Sequence, residues 1–144
     1  MTTTVPTDTR RAHALLGVDG LTVRFHLRGA VVHAVTDLSL TLHPGELLAV
    51  VGESGCGKSV LAHALLGLLP RNATVTGRAH LHPPDGHPVD LIDAGERHLT
   101  RHVRGRAVGL VPQSPATALT PVRSGRRLLE ETLRAHGHTR RAAP

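Results

Sequence analysis

The sequence of 144 residues has no tryptophan and no tyrosine, and one residue each of phenylalanine, cysteine, methionine and lysine. With so little aromatic surface the core must be aliphatic, and no array of rings is available to stack on single-stranded nucleic acid. A single cysteine, Cys56, excludes an internal disulfide framework and suits a reducing compartment. No apolar run approaches the ~20 residues that cross a bilayer, and the polar start, Met1 to Arg11, lacks the apolar centre of a signal peptide. The expected setting is therefore cytoplasmic. The one lysine, Lys58, stands among 16 arginines. The formal net charge of +6 would suit an anionic partner, and 12 histidines add to it in acid. Much of that charge, however, is crowded at the two ends, as Arg10, Arg11, Arg126, Arg127, Arg134, Arg140 and Arg141. Solvated termini account for it, and no nucleic-acid partner is expected.

What is present is an ordinary globular share of apolar residues, 40%, enough to exclude disorder as the default. Residues 1–13 read as a flexible tail. Leu21, Val23 and Phe25 alternate with Thr22, Arg24 and His26, the pattern of a half-buried strand. Val31 to Val35 and Leu38, Leu40, Leu42 continue as strand. Pro44-Gly45 makes a turn. Leu47 to Val51 is a continuous apolar run that suits a strand buried on both faces. From Lys58 to Leu69 the pattern is that of a buried helix, stopped by Pro70. A weak strand falls around Arg78 to Leu81, a short helix over 94–104, and a further strand over Ala107 to Val111. Ser124 caps a last helix that Gly137 ends.

The strongest signal is Gly52-Glu53-Ser54-Gly55-Cys56-Gly57-Lys58-Ser59, a full G-x-x-x-x-G-K-[ST] match between a predicted strand and a predicted helix. Glycines let the loop turn tightly, so that backbone N–H groups and the helix N-terminus face negative oxygens. Lys58 brings a point charge to the β- and γ-phosphates, and the Ser59 hydroxyl suits Mg²⁺. Cys56, in a variable position of the loop, is either a small tolerated residue or a thiol activated by the helix N-terminus.

Around this loop the chain resembles the ATP-binding subunits of ABC transporters. The likeness rests on the order strand, Pro44-Gly45-Glu46, apolar run and P-loop. It rests also on Val111-Pro112-Gln113-Ser114-Pro115-Ala116-Thr117-Ala118-Leu119-Thr120-Pro121, which looks like that family's Q-loop. The run Ala118-Leu119-Thr120-Pro121 and the segment Leu65 to Pro70 are similar to the oligopeptide, dipeptide and nickel importer branch. Ser114, Thr120 and Pro112 depart from that branch's usual Asp, Asn and Phe.

The resemblance implies an α/β P-loop NTPase fold: an incomplete ABC-type nucleotide-binding domain with an N-terminal antiparallel β subdomain. Residues 14–121 would carry the P-loop and Q-loop, and residues 122–144 would begin the helical subdomain. It implies ATP and Mg²⁺ as cofactors, with residues 52–59 on the phosphates and Ser59 and Gln113 at the metal. Gln113 would also position water. Phe25 would stack on adenine, or else pack in the core. The implied partners are transmembrane permease subunits and a second ATP-binding subunit, at the inner face of the cell membrane, in peptide or nickel uptake.

The family's Leu-Ser-Gly-Gly-Gln segment, its strand ending in Asp-Glu and its later His are not found in these 144 residues. The chain is therefore expected to be the N-terminal part of the domain, and not to turn over ATP alone. Two other readings stay open: a compact P-loop kinase or NTPase, and a basic module that binds nucleic acid. His98 and His102, four apart, could share a helix face but have no Glu in the H-E-x-x-H form. Asp90 and Asp93 do not end a buried strand. Glu130 and Arg134 read as a surface helix pair.

Overall fold

The structure is a computed structural model that describes residues 14–84, 86–114 and 122–137. Its residues fall into two units, divided between Val108 and Gly109. The expected tail, the segment Pro115–Pro121 and Arg140 and Arg141 lie outside the described residues.

The first unit is built on two long strands, β1 (Leu16–Leu27) and β2 (Ala30–Leu42), joined by a two-residue turn. They pair antiparallel from Leu16 opposite Leu42 to Leu27 opposite Ala30. On its other edge β1 pairs with β3 (Ala73–Leu81), which in turn pairs with the short β4 (Val89–Asp90), so the sheet order is β2-β1-β3-β4. This is the antiparallel β portion that the resemblance implies, and its first two strands fall where the residues alternate. Against one face pack α1 (Lys58–Leu65) and a helical segment formed by α2 (Glu96–His98) and a π-helical turn, Leu99–Val103. The core between them is wholly aliphatic, with Val18, Leu21, Val23, Val35, Leu61, Ala64, Ala79, Leu81, Leu91, Leu99 and Val103 buried. Phe25 packs at its margin.

Four expectations need correction. Thr22 does not face solvent: register shifts on either side of Leu21 turn it inward, where its hydroxyl accepts from the Asp37 N–H at 3.0 Å. The run Leu47–Val51 is not a buried strand. It has no strand hydrogen bonds, and Leu47 and Val51 are 96% and 87% exposed. A parallel strand is held by neighbours remote in sequence, and among the described residues none pairs with it. Ala107–Val111 forms only one isolated bridge, Arg104 to Val108, and Val111 is exposed, for the same reason. Finally, α1 is only half buried, through Leu61 and Ala64, and it stops before Pro70. Gly67, at φ 62°, closes it: the Gly67 N–H donates to Ala64 O and the Leu68 N–H to His63 O, a Schellman end.

Arg104 ties this helix end to the 96–103 segment. Its guanidinium donates to Leu66 O (2.7 Å), Gly67 O (3.0 Å) and both carboxylate oxygens of Glu96. The bonds from Arg104, with one from Thr100, hold the Glu96 carboxyl below its ordinary value, and Glu96 raises Arg104. A depressed carboxyl stabilises the fold fully above its unfolded pKa, and that contribution is lost as pH falls through the lower folded value. Glu96→Gln is therefore expected to lower the melting temperature at neutral pH. The gap to the parent chain should close as pH falls below the ordinary carboxyl range, a convergence that melting curves across the acid range would reveal.

The second unit contains α3 (Gly125–Ala135). Ser124 caps it, accepting from the Arg127 N–H at 3.4 Å, and Gly137 at φ 81° follows its end, as the sequence implies. Glu130 pairs with Arg126 (2.9 Å) and Arg134 (3.4 Å) on its surface.

Candidate functional site

The P-loop segment begins where the exposed run 47–51 ends and finishes as the first turn of α1. Residues 52–56 are exposed; Gly57 and Lys58 are half-buried; Ser59, the second residue of the helix, is exposed. Gly57 is the hinge between loop and helix. It sits in the left-handed region at φ 96°, and a Cβ there would come within 2.3 Å of Ala34 O and 3.3 Å of Val35 Cγ2. The loop is thus pressed onto β2 at a point where only glycine fits. That contact was not legible in the sequence, because nothing in Ala34 or Val35 marks them as a seat for a loop some twenty residues on.

The first intrahelical bond of α1 is from the Leu61 N–H to Gly57 O, at 2.9 Å. The amides of Lys58, Ser59 and Val60 therefore stand at the helix start without a helical acceptor, the arrangement that receives an oxyanion. The Lys58 ammonium folds back over the loop. It donates to Gly52 O (2.8 Å) and Glu53 O (2.7 Å) and lies 3.3 Å from Cys56 Sγ. Lys58, Gly57 and Cys56 border a pocket of about 270 Å³ shared with Val35, Val50 and Leu61. The cradle therefore fits a phosphate chain on three counts: free amides at a helix start, a glycine in the left-handed region pressed against β2, and an ammonium held over the loop.

The other expected residues are placed less decisively. Phe25 lies near the end of β1, opposite Val32 and Ala73, partly buried against the core. Gln113 is exposed and belongs to the second unit. The His98 and His102 rings lie 4.9 Å apart, and among the described residues no group of three or more His, Cys, Asp or Glu side chains gathers to hold a metal. Asp90 is taken up structurally, accepting from the Ile92 N–H at 3.0 Å and facing His80 at 3.9 Å. No described helix is long and apolar enough to cross a membrane.

Comparison with known proteins bears on the whole region. The profile of the ABC transporter family matches residues 35–136. The oligopeptide transport ATP-binding protein OppD of Mycobacterium tuberculosis is 40% identical over 122 residues, which is 85% of this chain and 19% of that protein. OppD of Escherichia coli K12 is 38% identical over 130 residues, 90% of this chain and 37% of that protein. The chain thus spans well under half the length of these relatives.

Proposed function

This chain belongs to the ABC transporter family, and from that premise we propose that it binds MgATP at residues 52–59 as part of the energy-coupling subunit of a peptide uptake system. The observation that carries the reading is the Lys58 ammonium resting on Gly52 O and Glu53 O beside the open amides of the α1 N-terminus. When a triphosphate enters, its β- and γ-oxygens replace those carbonyls as acceptors. One ammonium then exchanges two bonds to neutral carbonyls for bonds to charged phosphate oxygens. The helix amides receive the remaining oxygens. The Ser59 hydroxyl would hold Mg²⁺, which would supply neutralisation of the phosphate charge. Phe25 stacks on adenine.

In that role the protein works at the cytoplasmic face of the membrane, with permease subunits and a second ATP-binding subunit. The names of the relatives, which are oligopeptide transport ATP-binding proteins, favour peptide as the cargo.

Calorimetric titration of the full chain with ATP tests the site. Binding is expected in the presence of Mg²⁺. Ser59→Ala should weaken it by roughly tenfold with Mg²⁺ and leave it nearly unchanged in EDTA. An equal loss under both conditions would remove Ser59 from the metal, and no ATP binding by the folded parent chain would sink the reading.

A further inference from the structure

The segment from Glu96 to Arg104 carries its side chains in rows four residues apart, and two of those rows anchor it. Leu99 and Val103 are buried in the core. Glu96, Thr100 and Arg104 bond to one another, and Arg104 ties them to Leu66 O and Gly67 O. A third row, His98 and His102, is exposed.

The backbone brings these two histidines into line. In an α-helix, residues four apart are offset by about 40° around the axis. Here Leu99–Val103 is a π-helical turn, closed by the Arg104 N–H on Leu99 O at 2.8 Å. Its wider turn carries residues four apart closer to a single line. The ring centres of His98 and His102 lie 4.9 Å apart, with their planes inclined at 38°. Among the described residues neither ring makes a hydrogen bond or an ion pair. Two imidazoles that share one cation at about 2.1 Å per bond, with an angle of about 90–110° at the metal, hold their ring centres about 4.5–5.3 Å apart. The observed spacing falls inside that range. The terminal torsion of histidine is broad, so the ring edges can turn to a common point while the core and Arg104 hold the backbone still.

We propose that His98 and His102 form a two-imidazole site for a divalent first-row transition cation of the Zn²⁺ and Cu²⁺ class, with water in the remaining coordination positions. Imidazole nitrogen suits these ions, whereas Mg²⁺ takes oxygen, so the site is distinct in chemistry from the phosphate loop. A frame anchored on two sides lowers the ordering cost of chelation. Arg97 and Arg101 stand in the neighbouring row, and the one carboxylate of the segment, Glu96, is taken by Arg104. The site is therefore an exchangeable one, without the charge compensation of a structural metal centre.

Zinc is the suitable probe, because it is diamagnetic and leaves spectra readable. Ligation takes the neutral imidazole, so the titration is run near pH 8. In ¹H–¹³C spectra of the histidine rings of the full chain carrying Cys56→Ser, which removes the one thiol, Zn²⁺ is expected to shift His98 and His102 together and saturably. It should do so at concentrations about tenfold below those that reach the other histidines. After His98→Ala or His102→Ala, the remaining ring should respond only where the other histidines do, a loss of about tenfold. Excess Mg²⁺ should leave the shifts unchanged. Both positions are exposed, so each variant should melt with its parent. Shifts spread over the histidines without preference, or a remaining ring that keeps its affinity after either substitution, would overturn the proposal.

Discussion

Lys58→Ala is expected to cost between about tenfold and about a hundredfold in ATP affinity, the value of a charge-assisted hydrogen bond to phosphate, with no loss of folded structure. The second half of that expectation is as specific as the first. The ammonium bonds only to the loop itself, at Gly52 O, Glu53 O and Cys56 Sγ, so nothing in the sheet or core depends on it, and alanine favours the start of α1. Lys58→Arg is not expected to rescue binding. A planar fork cannot turn a single compact charge from two loop carbonyls to a phosphate chain. Because Lys58 is the sole lysine, the site can also be read chemically. An amine-selective acylating reagent should modify one side chain, and saturating MgATP should protect it. Circular dichroism, ATP titration and mass spectrometry of the acylated peptide check the three parts. Unchanged ATP affinity in Lys58→Ala would remove the P-loop from the function.

Gly57→Ala is expected to act on stability and on binding together. The φ of 96° is a region alanine enters only with strain, roughly 1–2 kcal/mol, and the new Cβ would lie 2.3 Å from Ala34 O. Backbone cannot rotate away as a long side chain can. The loop must therefore lift from β2, at a total cost of about 2–4 kcal/mol. Lifting it also re-aims the amides of Lys58 and Ser59, so ATP binding should fall with stability. Urea unfolding measures the first effect and calorimetry the second. Gly125→Ala is the matching control: an added Cβ there meets nothing within 4 Å, and alanine at the first position of α3 should leave stability unchanged or slightly raised. A Gly57→Ala chain as stable as its parent would mean that the loop is not seated on β2.

What could be read in advance follows the range of the interaction. The strands β1 and β2 were legible because alternation is a local property. The start of α1 was legible because the P-loop motif is itself a helix start. Its end was misplaced because Pro70 is the louder signal, whereas Gly67 acts first through two backbone bonds to Ala64 and His63. Arg104 gave no sign of its role. Its acceptors Leu66 O and Gly67 O are backbone atoms nearly forty residues away. The two apolar runs, 47–51 and 107–111, were read as strands because composition alone cannot tell a run that will be paired from one that will not.

The sequence by itself determined the chemistry: a lysine, a hydroxyl and glycines at the spacing that phosphate demands, and an aliphatic core forced by the near absence of aromatic residues. Those are matters of residue type and short spacing. Tertiary structure alone decided where Gly57 is seated and how α1 is tied down. Each depends on atoms brought together across strands, and the energy of such contacts lies in distances that no linear pattern carries.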